Sequence, residues 1–299
     1  MPILKVQLPH PGPQKPFKLG SGYINVGGHD IREWNNDFFP PNRKPHYRKF
    51  IKNQGVYLDN ISDLNPKKEN LFFWGEWEGH SFFSQIINPD YRILPNGVHE
   101  PFHSIKLRGH QNTDPYIFGD YFKYCICKQR EGNMENLDPN SLIIFGSVFP
   151  SLGKFYIDTV FVVKDNETSV HVQHTRAVGY TQVYKEETLE QLNEYLKAPQ
   201  ITKNKKLYHS QTWWDNKDYF SFAPCKLNAE INGFERLFLN LDDKKFNLTT
   251  YPGGLSYMNN SVLSPYELWG EIAKIAEEQG FKLGIRFDEP AYSNALDQL

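Results

Sequence analysis

The sequence predicts an α+β protein, a mostly antiparallel β sheet or barrel with a few helices and one long amphipathic helix near the C-terminus. Two observations carry this. Aromatic and β-branched residues gather in runs of roughly four to eight, bounded by Gly, Pro, Asn and Asp, which is strand composition. Apolar residues at helical spacing, by contrast, are confined to 185–197 and 264–280. The densest strand region is 108–163, in which 117–128, 141–147 and 154–163 read as three neighbouring antiparallel strands. Residues 142–145 are apolar throughout, as in a strand covered on both faces, whereas 155–163 carries Asp158 and Thr159 in its middle.

The totals narrow the class. A chain of 299 residues, 39% hydrophobic and 23% charged, is globular rather than disordered. It divides into a β-rich core, 1–183, and an α+β part, 184–299, packed on it, or the two form one continuous domain. The net charge of −2 excludes a global basic field for gripping duplex phosphates, so any nucleic-acid contact is local or made to a small nucleotide. Three cysteines without regular spacing argue against a disulfide framework. Cys125 and Cys127 are two apart on an expected strand, where a bridge is strained, and read as reduced packing residues. The N-terminus has no apolar core of signal-peptide type, and no run approaches the roughly eighteen apolar residues of a membrane span. A cytoplasmic protein with no membrane partner is expected, and its oligomeric state is left open.

In chain order, 3–8 reads as a short strand followed by a proline-rich irregular stretch. Residues 21–30 form another, ending in a turn at Gly27 and Gly28. These glycines lack the Gly-x-x-x-x-Gly-Lys-Ser/Thr spacing of a phosphate loop. Residues 38–49 read as a basic loop with interleaved aromatics: Arg43, Lys44, Arg48 and Lys49 are placed to meet phosphate, and Tyr47 to stack on a base. In 71–83, alternation puts Phe72, Trp74 and Glu76 on one side of a strand and Phe73 on the other, with a bulge or close backbone approach at Gly75 and Gly79. Glu76, Glu78 and His80 then share a side, beside Trp74 and Trp77. That set fits an acid/base pair or a clamp for a flat ligand; a strand with one solvated face and core tryptophans explains the same letters.

Residues 108–115, Arg-Gly-His-Gln-Asn-Thr-Asp-Pro, form a polar loop before the central strands. Arg108, His110, Gln111, Asn112 and Asp114 are groups that bond to ligands, although a hydrated turn closed by Asp-Pro accounts for them equally. His99 and His103 have metal spacing only on a helix, which Pro101 forbids, and His171 and His174 would point to opposite faces of a strand. No metal and no cofactor is expected. Strand character resumes over 169–183, a helix spans 185–197, and the lysine-rich 201–206 reads as a linker. After the aromatic stretch 207–222, residues 228–241 and 245–255 read as strands or turns. Ser264-Pro265-Tyr266-Glu267 is a capping box with Pro at the first helical position. Leu268, Trp269, Ile272, Ile275 and Ala276 form the apolar face, Gly280 ends the helix, and 281–287 is a last strand.

The stretch Leu-Ile-Ile-Phe-Gly-Ser at 142–147, the turn at Gly153 and Phe-Tyr-Ile-Asp-Thr-Val-Phe-Val-Val at 155–163 resemble the closing strands of the PUA, ASCH and EVE group of small β-barrels. The same residues are similar to the nucleotide-modification-associated domains found near phage and bacterial DNA-modification genes. The resemblance covers about a third of the chain. It implies binding of nucleic acids or modified bases, and it transfers no individual residue.

Three functions follow. In the first, the protein binds or processes a nucleotide, modified base or single-stranded nucleic acid: Trp74, Trp77 or Tyr47 stack on a base, Gln111, Asn112 and Asp114 read its edge, and Arg108, Arg43 or Lys44 meet phosphate. In the second it is a hydrolase or transferase whose acid/base pair comes from Glu76, Glu78, Asp114, Asp120 or Asp158, assisted by His80 or His110; Asp158 is a functional group if it points inward and an ordinary surface carboxylate if it points outward. In the third it is an interaction module that uses Trp213 and Trp214.

Overall fold

The computed structural model describes residues 3–9, 24–26, 29–31, 46–78, 86–87, 115–124, 134, 137–164, 170–172, 205–228, 234–251, 254–288 and 292–293. The strands of the first half are β1 (Lys5–Pro9), β2 (Ile24–Val26), β3 (His29–Ile31), β4 (His46–Leu58), β5 (Lys67–Glu78), β6 (Ile86–Ile87), β7 (Lys123–Tyr124), β8 (Leu142–Phe149) and β9 (Lys154–Val162). Those of the second half are β10 (Val170–Val172), β11 (Lys205–His209), β12 (Ala223–Lys226), β13 (Phe238–Asn240), β14 (Ser256–Tyr257), β15 (Lys282–Phe287) and β16 (Tyr292–Ser293). One α-helix, α1 (Pro265–Glu278), stands among the described residues, so the protein is strand-rich α+β. The expected helix over 185–197 lies outside them. No helix of the described residues is long and apolar enough to cross a membrane.

A five-stranded sheet runs in the order β13-β9-β8-β1-β14. Its β8–β9 hairpin is antiparallel, and β1 lies parallel to β8 with Val6 opposite Ile143. The sequence places 117–128 as the third neighbour of this hairpin, but among the described residues of that run, 117–124, the strand is Lys123–Tyr124, and it pairs with β11 in the sheet β10-β11-β7. The reason is local. Gly119 adopts φ +89, the chain turns there, and the backbones of Tyr116 and Lys123 bond to each other in both directions. The free edge of β8 is taken instead by β1, whose Val6 and Leu8 are wholly buried.

A second sheet closes on itself as a four-stranded barrel, β12-β15-β4-β5. Gly55 and Gly284 make closure possible: a Cβ on Gly284 would meet the Phe287 ring at 2.5 Å, and one on Gly55 would sit 2.6 Å from the Arg286 carbonyl. Phe287 fills the space they leave, its ring tilted at 52° to that of Phe73 with the centroids 4.4 Å apart. Such a barrel is compatible with a small PUA-like one. The strands carrying the resemblance, β8 and β9, belong to the five-stranded sheet and not to this barrel. Both sheets draw strands from either side of residue 183.

Alternation along β5 sorts its side chains into two cores. Leu71 and Phe73 pack with Val6, Phe118, Phe145 and Phe161 on one side; Phe72 and Trp74 pack with Ile144, Ile157 and the helix on the other. Strands β8 and β9 are buried on both faces because they divide the same two cores. Helix α1 covers the second core with Leu268, Trp269, Ile272, Ala273 and Ala276. Each large apolar side chain buried there contributes roughly 1.5–3 kcal/mol. Both bonds of the capping box form, Glu267 N–H to Ser264 Oγ and Ser264 N–H to the Glu267 carboxylate. At the other end Gly280, at φ +74, and Phe281 donate to the carbonyls of Glu277 and Ala276, closing the helix with a left-handed residue.

Candidate functional site

The long β4–β5 hairpin joins two stretches that the sequence kept apart. Tyr47 is the register partner of Trp77, Arg48 of Glu76 and His46 of Glu78. Residues 46–49, expected in a loop, are the start of a strand, because His-Tyr-Arg-Lys-Phe-Ile continues the β-rich composition of Gly-Val-Tyr-Leu into one ladder. No bulge occurs at Gly75, which sits in register with Lys49. The barrel strand β15 pairs with β4 only over Gly55–Leu58, and β12 with β5 only at Phe72 and Phe73. The Tyr47–Trp77 end of the hairpin therefore extends past the barrel's closure among the described residues.

Trp74 is a core residue. It is 3% exposed, and its indole Nε1–H donates to the Phe234 carbonyl at 2.9 Å. Arg43, Lys44, His80, Arg108, His110, Gln111, Asn112 and Asp114 lie outside the described residues. Asp120, an alternative carboxylate, is almost fully exposed and 3.9 Å from Arg286.

Asp158 points inward, and the cause is a bulge. Phe145 pairs with Thr159 but Gly146 pairs with Ile157, so Asp158 is the extra residue of β9. Gly146 is required at this point, since a Cβ there would lie 2.0 Å from the Tyr156 carbonyl. The carboxylate meets Arg236, a residue that no motif singles out. Arg236 Nη2 lies 2.7 Å from Asp158 Oδ1 and also donates to Ser147 Oγ and the Tyr156 carbonyl, both at 3.2 Å. Both side chains are buried. Nearby, the Tyr156 hydroxyl donates to Glu235, which also accepts from Lys154. Burial first, and then the Glu235 carboxylate, push the Tyr156 phenol well above its ordinary range. This network joins β8, β9 and the segment leading into β13.

The turn leaving β11 gathers a further set of functional groups. His209 is the register partner of Lys123, and its imidazole lies 4.5 Å from the Tyr121 ring. Burial, with the ammoniums of Lys123 and Lys164, lowers the His209 pKa to about 4, so the ring is neutral at pH 7. Thr212 and Asp215 lock the following turn by mutual bonds, and Asp215 receives Lys164 Nζ at 2.9 Å. Trp213 is buried within this turn while Trp214 is 48% exposed. Trp213 and Trp214 stand out in the sequence; His209 has no signal of its own, because only strand pairing brings Lys123 beside it. Among the described residues no group of three or more His, Cys, Asp or Glu is placed to hold a metal ion.

No family model, curated protein or solved structure matches this chain. The functional reading therefore rests on the residues themselves.

Proposed function

We propose that this chain binds a nucleotide or modified base, free or within a single strand, at the end of the β4–β5 hairpin, with Tyr47 and Trp77 as the stacking residues. The observation that carries this is their register pairing, thirty residues apart in sequence and directly opposite on adjacent strands. Directly opposed residues of an antiparallel pair have Cβ atoms about 5 Å apart, which suits two rings that share one flat ligand. Stacking contributes roughly 1–3 kcal/mol per base, and micromolar affinity corresponds to about 8 kcal/mol. Aromatic contact therefore supplies part of the affinity and polar groups the rest. Arg43 and Lys44 immediately precede β4 and are assigned to phosphate, while Gln111, Asn112 and Asp114 are assigned to the base edge. A local site of this kind is consistent with a net charge of −2.

The test is a panel of nucleotides and short oligonucleotides titrated against the full chain, read by thermal shift and tryptophan fluorescence. A saturable response that weakens about tenfold or more in both Tyr47→Ala and Trp77→Ala is expected. A response indifferent to both substitutions removes the site. The register partnerships of Glu76 with Arg48 and Glu78 with His46 favour one second reading, acid/base chemistry on a small molecule at the same end. Turnover of a bound ligand, abolished in Glu76→Gln or Glu78→Gln with stacking affinity retained, would distinguish it.

A further inference from the structure

We propose that the turn leaving β11 holds a second binding site, for a small oxyanion of the phosphate class, separate from the hairpin end and independent of the reading given to it. Two buried ring nitrogens, Nε2 of the half-buried His209 at the end of β11 and Nε1 of Trp213 in the turn after it, have no hydrogen-bond partner among the described residues. Leaving one such group unsatisfied costs about 1–3 kcal/mol, and native interiors satisfy nearly all of them. Two in five consecutive residues point to a missing partner. Trp213 Nε1 is a donor only, and it belongs to a side chain 5% exposed. What it lacks is an acceptor, which excludes a bare cation.

The charges agree with that assignment. The described charged groups acting on the His209 ring are two ammoniums, Lys123 and Lys164. Asp215, the carboxylate of the turn, is already engaged by Lys164, the Thr212 hydroxyl and the Thr212 amide. An incoming oxyanion would accept from the indole and the imidazole and draw on the Lys164 charge, in exchange for or alongside Asp215. The Thr212–Asp215 bonds hold the turn fixed, so little ordering is required on binding.

The experiment is an NMR titration of the full chain, histidine- and tryptophan-labelled, with inorganic phosphate at pH 7 and constant ionic strength. The His209 ring and Trp213 indole signals, assigned with His209→Gln and Trp213→Phe, should move saturably. Lys164→Met should raise the dissociation constant about tenfold or more, and Asp215→Asn, which releases Lys164, should lower it. Trp77→Ala should leave the phosphate response as in the wild type, so that failure here and failure at the hairpin end are told apart. Signals that do not move, that move equally with chloride, or that respond identically in Lys164→Met and Asp215→Asn overturn the proposal. Repeating the titration with a nucleoside monophosphate separates a free anion from a nucleotide's phosphate: a tighter constant that Trp77→Ala leaves unchanged identifies the nucleotide.

Discussion

Replacing Asp158 by Asn keeps the shape of the bulge and removes the charge that faces Arg236. The guanidinium is then left in a place water does not reach, since Arg236 is 0% and Asp158 3% exposed. Removing one partner of a buried pair costs about 3–5 kcal/mol, most of it the penalty of an uncompensated charge. The remaining bonds of Arg236, to Ser147 Oγ and the Tyr156 carbonyl, are already made in the wild type and do not replace the lost charge. Arg236→Met should cost a similar amount, because it strands the carboxylate and also frees those two acceptors. The double variant Asp158→Asn with Arg236→Met leaves no charge unpaired, although the Ser147 hydroxyl and the Tyr156 carbonyl still lose their donor. It should lose less than the sum of the single changes by a coupling of about 2–3 kcal/mol. The measurement is urea unfolding of all variants, comparing midpoints at unchanged slope. A loss under about 1 kcal/mol for Asp158→Asn, or strict additivity in the double variant, would refute the assignment of this pair as a clamp between β9 and the segment entering β13.

Three more expectations rest on named contacts. Gly146→Ala drives a methyl group to 2.0 Å from the Tyr156 carbonyl, so urea unfolding should show a loss of at least about 2 kcal/mol, with backbone shifts in β9. Ser264→Ala removes the oxygen that accepts the Glu267 amide and should cost about 1 kcal/mol, read as a lower midpoint followed by circular dichroism at the helical band. His209 has a folded pKa near 4, below its unfolded value of about 6.5, so the unfolded chain takes up the extra proton between those limits. Its contribution is therefore complete above pH 6.5 and lost as pH falls toward 4. His209→Phe should flatten the stability profile in that window relative to the wild type, and an unchanged slope would contradict the buried neutral imidazole.

Local chemistry was readable where it decided structure alone. The capping box at Ser264, the proline at the first helical position and Gly280 all act within a few residues, and the helix begins and ends where they place it. The apolar run 142–145 announced a strand buried on both faces in the same way. What no single stretch contains is the identity of its neighbour. Tyr124 finds Tyr208 and Lys123 finds His209 across more than eighty residues, and nothing in 117–128 specifies that pairing over one with β8. The inward turn of Asp158 depends on a bulge whose cause, Gly146, lies on the opposite strand, and on an arginine nearly eighty residues further along. Of the proposed ligand-binding residues, the pattern gave Tyr47 and Trp77 separately. Only the ladder makes them partners.

The barrel's closure has a temporal side. Leu58 in β4 pairs with Leu283 in β15, so the first wall of the cylinder waits for its last across 225 intervening steps of the chain. At roughly 5–20 residues per second, a ribosome takes on the order of 10–45 s to deliver that final wall. Until then the β4 edge of the hairpin at Gly55–Leu58 has no strand beside it, an open edge that invites mispairing. A sequence built this way trades quick assembly for a seam that, once shut, ties early and late parts of the polypeptide together.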